Sequence, residues 1–387
     1  MFQALYNSLS GLFSFSRSLD TVSNNVANMN TPGFRGSDSL FSNLSGEHGA
    51  RIVGEAMRTA HGDLRQTESP TDVAIDGNGY FVLRDEAGEL HYTRAGQFGF
   101  DDDGILVDQV TGFDVMAIDS GGNLSQLSIE DLRTLPAQAT TKVTISGNLS
   151  PTSTGTTVSS IKVYDANGNA HTIKAAFGAP TMIAGGGRSY AVTLTDENGA
   201  TVGKGQLDYT TAGTLASGSG ALTATLDVAG ESQAISFSFG APGTYSGTTS
   251  LSGLTDSLSA TVVDGRTVLG INTVSFDDKG VLQVSYNETE KKEGQQLALA
   301  AFRSESTLQP DESRLFSNVD AQRSELGRAG SSVFGRIAGG SLEMSNVDLT
   351  QEFADMLIIQ RGYQASSRVM NISNDMIEQL YNSTRGG

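Results

Sequence analysis

Two stripes of apolar residues, each repeating every seven positions, stand at opposite ends of this chain. The repeat falls on Leu5, Leu12, Leu19 and Val26 near the start, and on Leu349, Met356, Tyr363, Met370 and Ile377 near the end. On a helix of 3.6 residues per turn, such a repeat drifts by about 20° per heptad, so the helices wrap around partners with a left-handed twist. Two such stripes in one chain predict a subunit that polymerises.

The pattern predicts a first helix over about residues 3–28 and a second from 349 to about 381. Pro32 ends the first helix, because proline lacks an N–H donor and moves the preceding residue out of the α region. Asp348 is placed to cap the second helix, and Gln351 to complete a capping box. The opposite side of the first helix is expected to carry the polar residues Ser10, Ser14, Arg17 and Ser18.

Neither helix is expected to be stable alone, since most helical stability comes from burying an apolar face. The first stripe therefore packs either on the second helix of the same chain or on a neighbouring subunit. The sequence leaves both alternatives open.

Between the helices the apolar pattern changes to period two, which indicates strands. The strand-like runs are 73–75, 80–83, 105–107, 143–145, 161–164, 172–177, 190–194, 235–239, 274–276 and 282–286. Many are joined by the turn Asp-x-x-Gly, which begins at Asp85, Asp101, Asp165, Asp196 and Asp277. The two stretches that begin at Phe100 and Phe276 are nearly copies, so they predict equivalent hairpins on either side of an insertion.

The insertion itself is visible in the composition, because charged residues fall to roughly a tenth from Gly147 to Thr273 while Gly, Ser and Thr rise. The predicted fold class is α+β, with terminal helices and two nested, mostly β domains. The predicted domains are 1–30 with 346–387 (helical), 31–70 (connecting), 71–146 with 274–345 (first β domain) and 147–273 (inserted β domain).

Composition excludes several kinds of chemistry. The formal charge of −18 disfavours nucleic acid, and the absence of cysteine excludes disulfides and thiolate sites. His48, His61, His91 and His171 show no metal-ligand spacing, and His171 is expected to decorate the neighbouring turn. The run from Asp101 lacks the bidentate Glu of a calcium loop, so a hairpin turn is predicted there. Signatures of nucleotide binding and of a nucleophile elbow are absent too, which predicts no catalytic site, no cofactor and no metal.

Short motifs at both ends resemble those of the flagellar axial proteins, the family of rod, hook and hook-associated subunits. They are Ser23-Asn24-Asn25-Val26-Ala27-Asn28, Thr31-Pro32-Gly33-Phe34, Leu342-Glu343-Met344-Ser345-Asn346-Val347-Asp348-Leu349 and Gln360-Arg361-Gly362-Tyr363-Gln364. Residues 72–82 and 92–96 resemble the family's first β domain, and 163–171 and 294–300 resemble the start and return of the inserted domain of its hook members. Gln97 and the stretch Glu68-Ser69-Pro70 depart from the usual pattern.

The resemblance implies a structural subunit and not an enzyme. Hook members of the family assemble into a curved hollow tube that works as a universal joint, transmits torque from rod to filament and passes exported subunits through its channel. The terminal helices would form the inner tube, with the β domains projecting outward. The implied location is the flagellum outside the cell, reached without a cleaved signal peptide, and no bilayer-spanning segment is expected.

The implied partners are further copies of the same chain, the distal rod protein, the hook cap protein, the hook-filament junction protein and the flagellar type III export apparatus. Residues expected at subunit contacts are Leu5, Leu9, Leu12, Leu19, Val22, Asn24, Asn25, Val26, Asn28, Thr31, Pro32, Gly33, Phe34, Asn346, Val347, Asp348, Leu349, Phe353, Met356, Gln360, Arg361, Tyr363, Met370 and Ile377. The asparagines are unfavourable inside a helix, which suggests that their side chains bond to neighbouring subunits.

The sequence has three alternative interpretations. A distal rod subunit shares both terminal motifs but generally lacks a large inserted β domain. A β-rich surface adhesin would explain the Gly, Ser and Thr content but not the heptads. A hydrolase would require a catalytic cluster that the sequence does not show.

Overall fold

The structure, a computed structural model, describes residues 2–43, 49–119, 121–228, 231–302, 308–310, 314–318, 324–331 and 333–385. The chain divides into two compact units. The first comprises Met1–Arg133 and Asn272–Gly387, and the second comprises Thr134–Ile271. A helix stands at each end of the chain and the middle is mostly β, so the predicted fold class is confirmed.

The two helices are α1 (Phe2–Ala27) and α2 (Leu349–Arg385), close to the predicted bounds. Asp348 caps α2 as predicted, because its Oδ1 accepts hydrogen bonds from the backbone N–H of Thr350 at 2.7 Å and of Gln351 at 3.3 Å. These backbone donors lower the pKa of the Asp348 carboxyl. Among the described hydrogen bonds, none returns from the Gln351 side chain, so the cap is present without the reciprocal half of a capping box.

The strands of the first unit come from both sides of the second unit in sequence. They are β1 Ser37–Asn43, β2 Ala50–Met57, β3 Leu64–Gln66, β4 Val73–Asp76, β5 Tyr80–Arg84, β6 Leu90–Thr93, β7 Phe98–Phe100, β8 Leu106–Asp108, β9 Asp114–Ile118 and β10 Leu124–Gln126, then β23 Thr273–Phe276, β24 Val281–Ser285, β25 Lys291–Gln296, β26 Ala298–Phe302, β27 Leu308–Pro310, β28 Leu315–Asn318, β29 Ser324–Arg328, β30 Arg336–Gly339 and β31 Ser341–Glu343. A short 3₁₀ helix lies at Glu130–Leu132.

Strand pairing joins the two halves of this unit. Within the described residues its largest sheet has ten strands, in the order β27-β28-β6-β5-β9-β8-β7, with β10 on β9, β26 on β5 and β29 on β26. Strand β4 pairs with β30 and β3 with β31, while β23, β24 and β25 form a smaller sheet. Aromatic rings fill the core beneath the large sheet, where Tyr80 meets Phe316 edge-on at 5.5 Å between centroids.

The second unit is built from two five-stranded sheets. Its strands are β11 Thr134–Leu135, β12 Lys142–Asn148, β13 Thr156–Tyr164, β14 Ala170–Phe177, β15 Thr181–Met182, β16 Arg188–Thr195, β17 Thr201–Tyr209, β18 Ala221–Val228, β19 Glu231–Ser238, β20 Thr248–Thr249, β21 Ser259–Val262 and β22 Leu269–Gly270. One sheet runs β18-β19-β12-β20 with β21 on β12, and the other runs β13-β14-β16-β15 with β17 on β16. Residues of both sheets share one buried cluster, as in a β-sandwich.

Two tyrosines anchor that cluster. The rings of Tyr190 and Tyr209 meet edge-on at 5.5 Å, and the Tyr209 hydroxyl donates to Thr248 Oγ1 at 2.8 Å. Burial raises the pKa of Tyr209. Buried hydroxyls need such partners, and here each finds one inside the unit.

The repeated turns have the predicted form. In the turn from Asp101, Oδ1 accepts from Ile105 N at 2.7 Å, and in the turn from Asp277, Oδ1 accepts from Val281 N at 2.8 Å. The closing glycine of the first, Gly104, has φ +81°, a value that favours glycine. His171 Nε2 lies 3.3 Å from Asp165 Oδ2, which confirms its expected place beside that turn.

All ten predicted runs overlap strands. The inserted domain was predicted over 147–273, whereas the second compact unit begins at Thr134, where β11 pairs antiparallel with β22 at the point of entry and return. The finer division of the first unit into helical, connecting and first β domains remains a prediction. In the part of the chain that the structure describes, no helix has the length and apolar character needed to span a bilayer.

Candidate assembly surface on the terminal helices

Helices α1 and α2 pack antiparallel within one chain. A Cβ added to Gly11 would lie 2.9 Å from Ser366 Oγ, and one added to Gly362 would lie 2.4 Å from Phe15 Cζ. A step of four residues towards the C-terminus of α1, from Gly11 to Phe15, thus matches a step of four residues towards the N-terminus of α2, from Ser366 to Gly362. The same register brings Asn25 Nδ2 to 3.2 Å from Glu352 Oε2. Of the two alternatives left open by the sequence, the intramolecular pair is therefore present.

Glycine permits this close approach. Gly362 inside a helix costs about 1 kcal/mol relative to alanine, and the sequence offered no reason for it. In the structure the ring of Phe15 lies directly against Gly362, where a side chain would collide with it. Gly11, Phe15, Gly362 and Ser366 are contact residues that the heptad analysis missed.

The predicted contact residues occupy three kinds of environment. Buried are Val22, Asn25 and Gly33; half-buried are Leu5, Leu12, Leu19, Val26, Asn28, Thr31, Pro32, Phe34, Asn346, Val347, Leu349, Met356, Met370 and Ile377; exposed are Leu9, Asn24, Asp348, Phe353, Gln360, Arg361 and Tyr363. The leucines of the seven-residue repeat on α1 are thus only half-buried. The close contacts described between the two helices involve Gly11 and Phe15, which lie beside that repeat. A role for these residues between subunits stays a prediction.

Ser14 and Ser18 belong to the predicted polar side of α1. Both are buried, and Ser14 Oγ donates to Ala50 O at 3.0 Å. The reason is the hairpin of β1 and β2, which packs on this side of α1 and which the sequence analysis did not predict. Thr21 makes a similar contact, since its Oγ1 lies 3.1 Å from Glu55 Oε1 on β2.

Much of the apolar surface of α2 is uncovered. Val369, Ile372, Met376 and Leu380 recur every three or four residues, so they share one face, here called the α2 stripe, and all four are exposed. Leu357 and Ile358 are exposed nearer the start of α2, and Phe13 is 70 % exposed on α1. Isolated exposed apolar residues are ordinary, but a row along one helix indicates an interaction surface.

The asparagine motif acts mainly inside the chain. Asn25 is 1 % exposed, and its side chain receives a hydrogen bond from Ser37 N at 3.0 Å and donates to Ser37 O at 2.9 Å. The Asn25 amide therefore has partners within the chain, and the expected bond from it to a neighbouring subunit stays a prediction. Asn28 donates to Asn24 O at 3.0 Å and accepts from Thr31 Oγ1 at 3.2 Å, which closes the end of α1.

A buried ion pair ties α2 to the hairpin. Glu352 is fully buried, and its Oε1 lies 2.6 Å from Arg58 Nη1. The same guanidinium lies 2.6 Å from Asp38 Oδ1, and the hydrogen bonds to these two carboxylates raise the pKa of Arg58. A charge held this far from water requires such a partner. Nearby, Asn346 accepts from Gly36 N at 2.8 Å and donates to Ala60 O at 2.7 Å, so the family motif that precedes α2 is also engaged.

A second buried group ties the segment after α1 to the first β domain. Glu343 Oε1 lies 2.9 Å from Arg35 Nη2, and Glu343 Oε2 lies 2.8 Å from Arg94 Nε. All three side chains are almost wholly buried, and burial lowers the pKa of Arg94. Gly33, with φ +73°, donates to Glu343 O at 2.8 Å, and a Cβ there would lie 2.4 Å from Ala95 N. Since these residues are far apart in sequence, no local pattern could have predicted the group.

Outside these contacts, one group of possible metal ligands occurs among the described residues. Side-chain atoms of Asp85, Glu89 and His91 lie within 4.8 Å of one another. The sequence shows no metal-ligand spacing at His91, whereas its Nε2 lies 3.1 Å from Asp85 Oδ2 across the hairpin turn. That hydrogen bond lowers the pKa of the Asp85 carboxyl. The contact stabilises the hairpin turn, and this role accounts for it.

Four family models match successive parts of the chain. They are described as "Flagella basal body rod protein" over residues 5–35, "Flagellar hook protein FlgE/F/G D1 domain" over 74–158, "Flagellar basal body protein FlaE D2 domain" over 134–266 and "Flagellar basal body rod FlgEFG protein C-terminal" over 338–383. Two helical termini of this kind around nested β domains define an axial structural protein of the flagellum. The chain belongs to the flagellar rod and hook protein family.

Relatives matched from end to end are hook proteins. The chain is 27 % identical to Flagellar hook protein FlgE of Borreliella burgdorferi over 449 aligned residues, covering 98 % of this chain and 99 % of that one. It is also 27 % identical to Flagellar hook protein FlgE of Escherichia coli over 409 residues, with the same coverage. The crystal structure of Helicobacter pylori flagellar hook protein FlgE2 has the same fold over 72 % of this chain and 100 % of its own, with TM-score 0.50 at 14 % identity.

Proposed function

We propose that this chain is a structural subunit of the bacterial flagellar hook, which assembles with many copies of itself into a curved hollow tube. The observation that carries the proposal is the pair of terminal helices, which is joined by the buried Asn25–Glu352 hydrogen bond and still leaves the α2 stripe exposed to solvent. Burying each such side chain on a neighbouring copy would contribute about 1.5–3 kcal/mol. The full-length similarity to hook proteins supports the same function.

The inserted unit favours a hook subunit over a distal rod subunit. Both classes share the terminal motifs, but the second unit here spans Thr134–Ile271 and holds its own two-sheet core. A family model for the D2 domain matches 134–266. The rod alternative does not account for this unit.

The internal contacts of the first unit suit a part that carries load. The Glu352–Arg58 pair fixes α2 to the β1–β2 hairpin, and the Glu343 group fixes the segment after α1 to strands of the first β domain. Buried, bidentate or doubly paired guanidinium contacts are directional, so they resist rotation of one element against another. Torque applied to the helices would therefore be transmitted to the β domain with little relative rotation of the two.

The proposed setting follows from this function. The subunit would lie in the hook of the flagellum, with the helices innermost and the β domains outward, and would act mechanically rather than as an enzyme. Its neighbours would be further copies, the distal rod protein below, the hook cap protein during growth and the hook-filament junction protein above. Delivery would be by the flagellar type III export apparatus.

Electron microscopy of purified variants tests the proposal. We expect the wild-type chain to form tubes and the double variant Leu357→Asp, Ile372→Asp to remain monomeric with unchanged secondary structure. The matched control Met182→Asp, Leu254→Asp changes two residues of the second unit that are also exposed, and it should still form tubes. Normal tubes from the α2 variant, or loss of tubes only in the control, would contradict the proposal.

A further inference from the structure

The imidazole of His61 contacts the buried group formed by Glu343, Arg35 and Arg94. His61 lies between β2 and β3, and its Nδ1 is 2.6 Å from Arg94 Nη2 and 3.1 Å from Arg35 Nη2. These are the two guanidiniums that form ion pairs with Glu343. Two positive charges thus face one negative charge, and the histidine nitrogen contacts both positive partners.

These contacts determine the protonation state of the His61 ring. A guanidinium carries donors only, and it keeps its proton in folded proteins. Both hydrogen bonds therefore end on a bare Nδ1, so the imidazole is neutral and its single N–H proton is on Nε2. A proton added at Nδ1 would remove the acceptor and place a third positive charge against Arg35 and Arg94.

The described groups around His61 do not offer a free carboxylate inside the cluster. Glu343 Oε1 lies 2.9 Å from Arg35 and Oε2 lies 2.8 Å from Arg94, so a protonated His61 would compete with both arginines for Glu343. The Tyr80 ring lies 5.7 Å from Arg94 Cζ, and a phenol is neutral in mild acid. Asp63, two residues along the chain, is exposed to solvent. The two groups that contact Nδ1 are both cations.

The residues on either side of His61 are bound to the same cluster. Arg35 donates to the carbonyls of Thr59 and Ala60, and Gly62 N donates to Glu343 Oε1 at 3.0 Å. The cluster thus holds the segment 59–62 on both sides of the histidine. His61 itself is exposed, so protons reach its ring from solvent.

We propose that His61 is a pH-sensitive switch in the first unit. While neutral, it accepts hydrogen bonds from Arg35 and Arg94 and keeps the segment 59–62 against them. Protonation in mild acid ends these two bonds and releases the segment. Since every group of the switch belongs to one chain, it acts in the single subunit and does not depend on assembly.

The direction of the effect follows from proton binding. A histidine in an unfolded chain takes up its proton at about pH 6.5. The folded chain resists that proton, so below this pH the unfolded state binds more protons, and the free energy of unfolding falls as pH falls. If the folded chain excluded the proton completely, the unfolding equilibrium constant would rise about thirtyfold from about pH 7.5 to about pH 5.

Urea unfolding of the dilute full-length chain at these two pH values tests the inference. The helical circular dichroism signal reports on the first unit, because α1 and α2 both belong to it. The variant His61→Asn keeps an acceptor, its Oδ1, near the place of Nδ1 and does not take up a proton in this range. The acid-induced rise in the unfolding constant should be about tenfold or more larger in the wild-type chain than in His61→Asn.

The matched control is His171→Asn in the second unit. His171 faces the carboxylate of Asp165 and not a guanidinium, so its replacement should leave the acid-induced rise in the first unit unchanged. Equal rises in the wild-type chain and His61→Asn, or an equal reduction by His171→Asn, would overturn the inference.

Nitrogen-15 NMR of the histidine rings measures the switch directly. The signal that His61→Asn removes should show a bare Nδ1 and a protonated Nε2 at neutral pH, and it should titrate at lower pH in the folded chain than in urea. A protonated Nδ1, or titration at the same pH in both states, would refute the switch. Should His61→Asn fail to fold, the variants His48→Asn, His91→Asn and His171→Asn assign the His61 signal by elimination. Tube formation enters none of these measurements, so their failure would leave the proposed function standing.

Discussion

The contact between Phe15 and Gly362 predicts whether the substitution Gly362→Ala stabilises or destabilises the chain, as well as by how much. Substituting Gly362 by alanine should stabilise a helix by about 1 kcal/mol on propensity alone. In this structure, however, the new Cβ would lie 2.4 Å from Phe15 Cζ and 2.6 Å from Cε1, whereas ordinary contacts are 3.4–4 Å. The ring would have to move by about 1 Å, and such overpacking costs about 1–3 kcal/mol. We therefore expect Gly362→Ala to destabilise the chain by about 1 kcal/mol.

Removing the Phe15 ring should reverse the effect of Gly362→Ala on the unfolding free energy. In a Phe15→Ala background the added methyl meets no obstacle, so Gly362→Ala should stabilise the helix pair by about 1 kcal/mol. The two residues would then show a coupling energy of about 2 kcal/mol in a double-mutant cycle.

Urea unfolding of the dilute monomer, followed by far-ultraviolet circular dichroism, measures all four proteins. Gly11→Ala is a graded comparison, because the neighbouring Ser366 hydroxyl can rotate away from a Cβ at 2.9 Å. If Gly362→Ala stabilises the chain equally with and without Phe15, the close packing described here is wrong.

Further predictions concern the buried carboxylate, the second unit and acid. Glu352→Gln should cost about 2 kcal/mol of unfolding free energy, because it leaves part of the buried Arg58 guanidinium without its charge partner, while the exposed Glu378→Gln should cost less than about 0.5 kcal/mol. Replacing residues 136–268 by a short glycine linker between the paired strands β11 and β22 should leave tubes that form but do not curve; curved tubes would refute this. Hydrogen bonds from Asn169, from backbone N–H groups and from His171 lower the pKa of Asp165 from 3.8 to about 2, so the second unit should lose stability as pH falls from about 4 towards 2. Asp165→Asn should flatten that loss in acid-unfolding curves, and an unchanged pH dependence would argue against the turn as the cause.

Period and spacing were sufficient for both helices and for ten of the strands. The seven-residue stripes gave both helices nearly to their ends, and short apolar runs gave strands such as β5 and β16, because each buries alternate or successive apolar residues in a core. The Asp-x-x-Gly turns were predictable since one carboxylate and one left-handed glycine determine them locally.

Contacts between distant segments were not predictable in the same way. The hairpin of β1 and β2 lacks a strict alternation of apolar and polar residues, and it packs on α1 through contacts such as Ser14 Oγ to Ala50 O. Strand β17 contains Gly203 and Gly205, which weaken a strand, so it depends on its pairing with β16.

In the candidate site, too, local motifs were predictable and contacts between distant segments were not. The family motifs drew attention to Asn25, Gly33 and Asn346, but their environment required the fold: Asn25 is interior because Ser37 and Glu352 meet it from two separate segments. In the sequence Glu343 stands out only as part of a motif, although its ion pairs with Arg35 and Arg94 make it a central contact of the first unit. A single sequence carries no signal for such pairings.

Hydrogen exchange, compared between the dilute subunit and the assembled polymer, tests the central claim most directly. The account holds that α2 completes its burial only on neighbouring copies, so its amides, and above all those of residues 376–385, should exchange much more slowly in the polymer. Core amides of the second unit, such as those of Tyr190 and Val192, should be equally protected in both states. Equal protection of α2 in subunit and polymer would contradict the account.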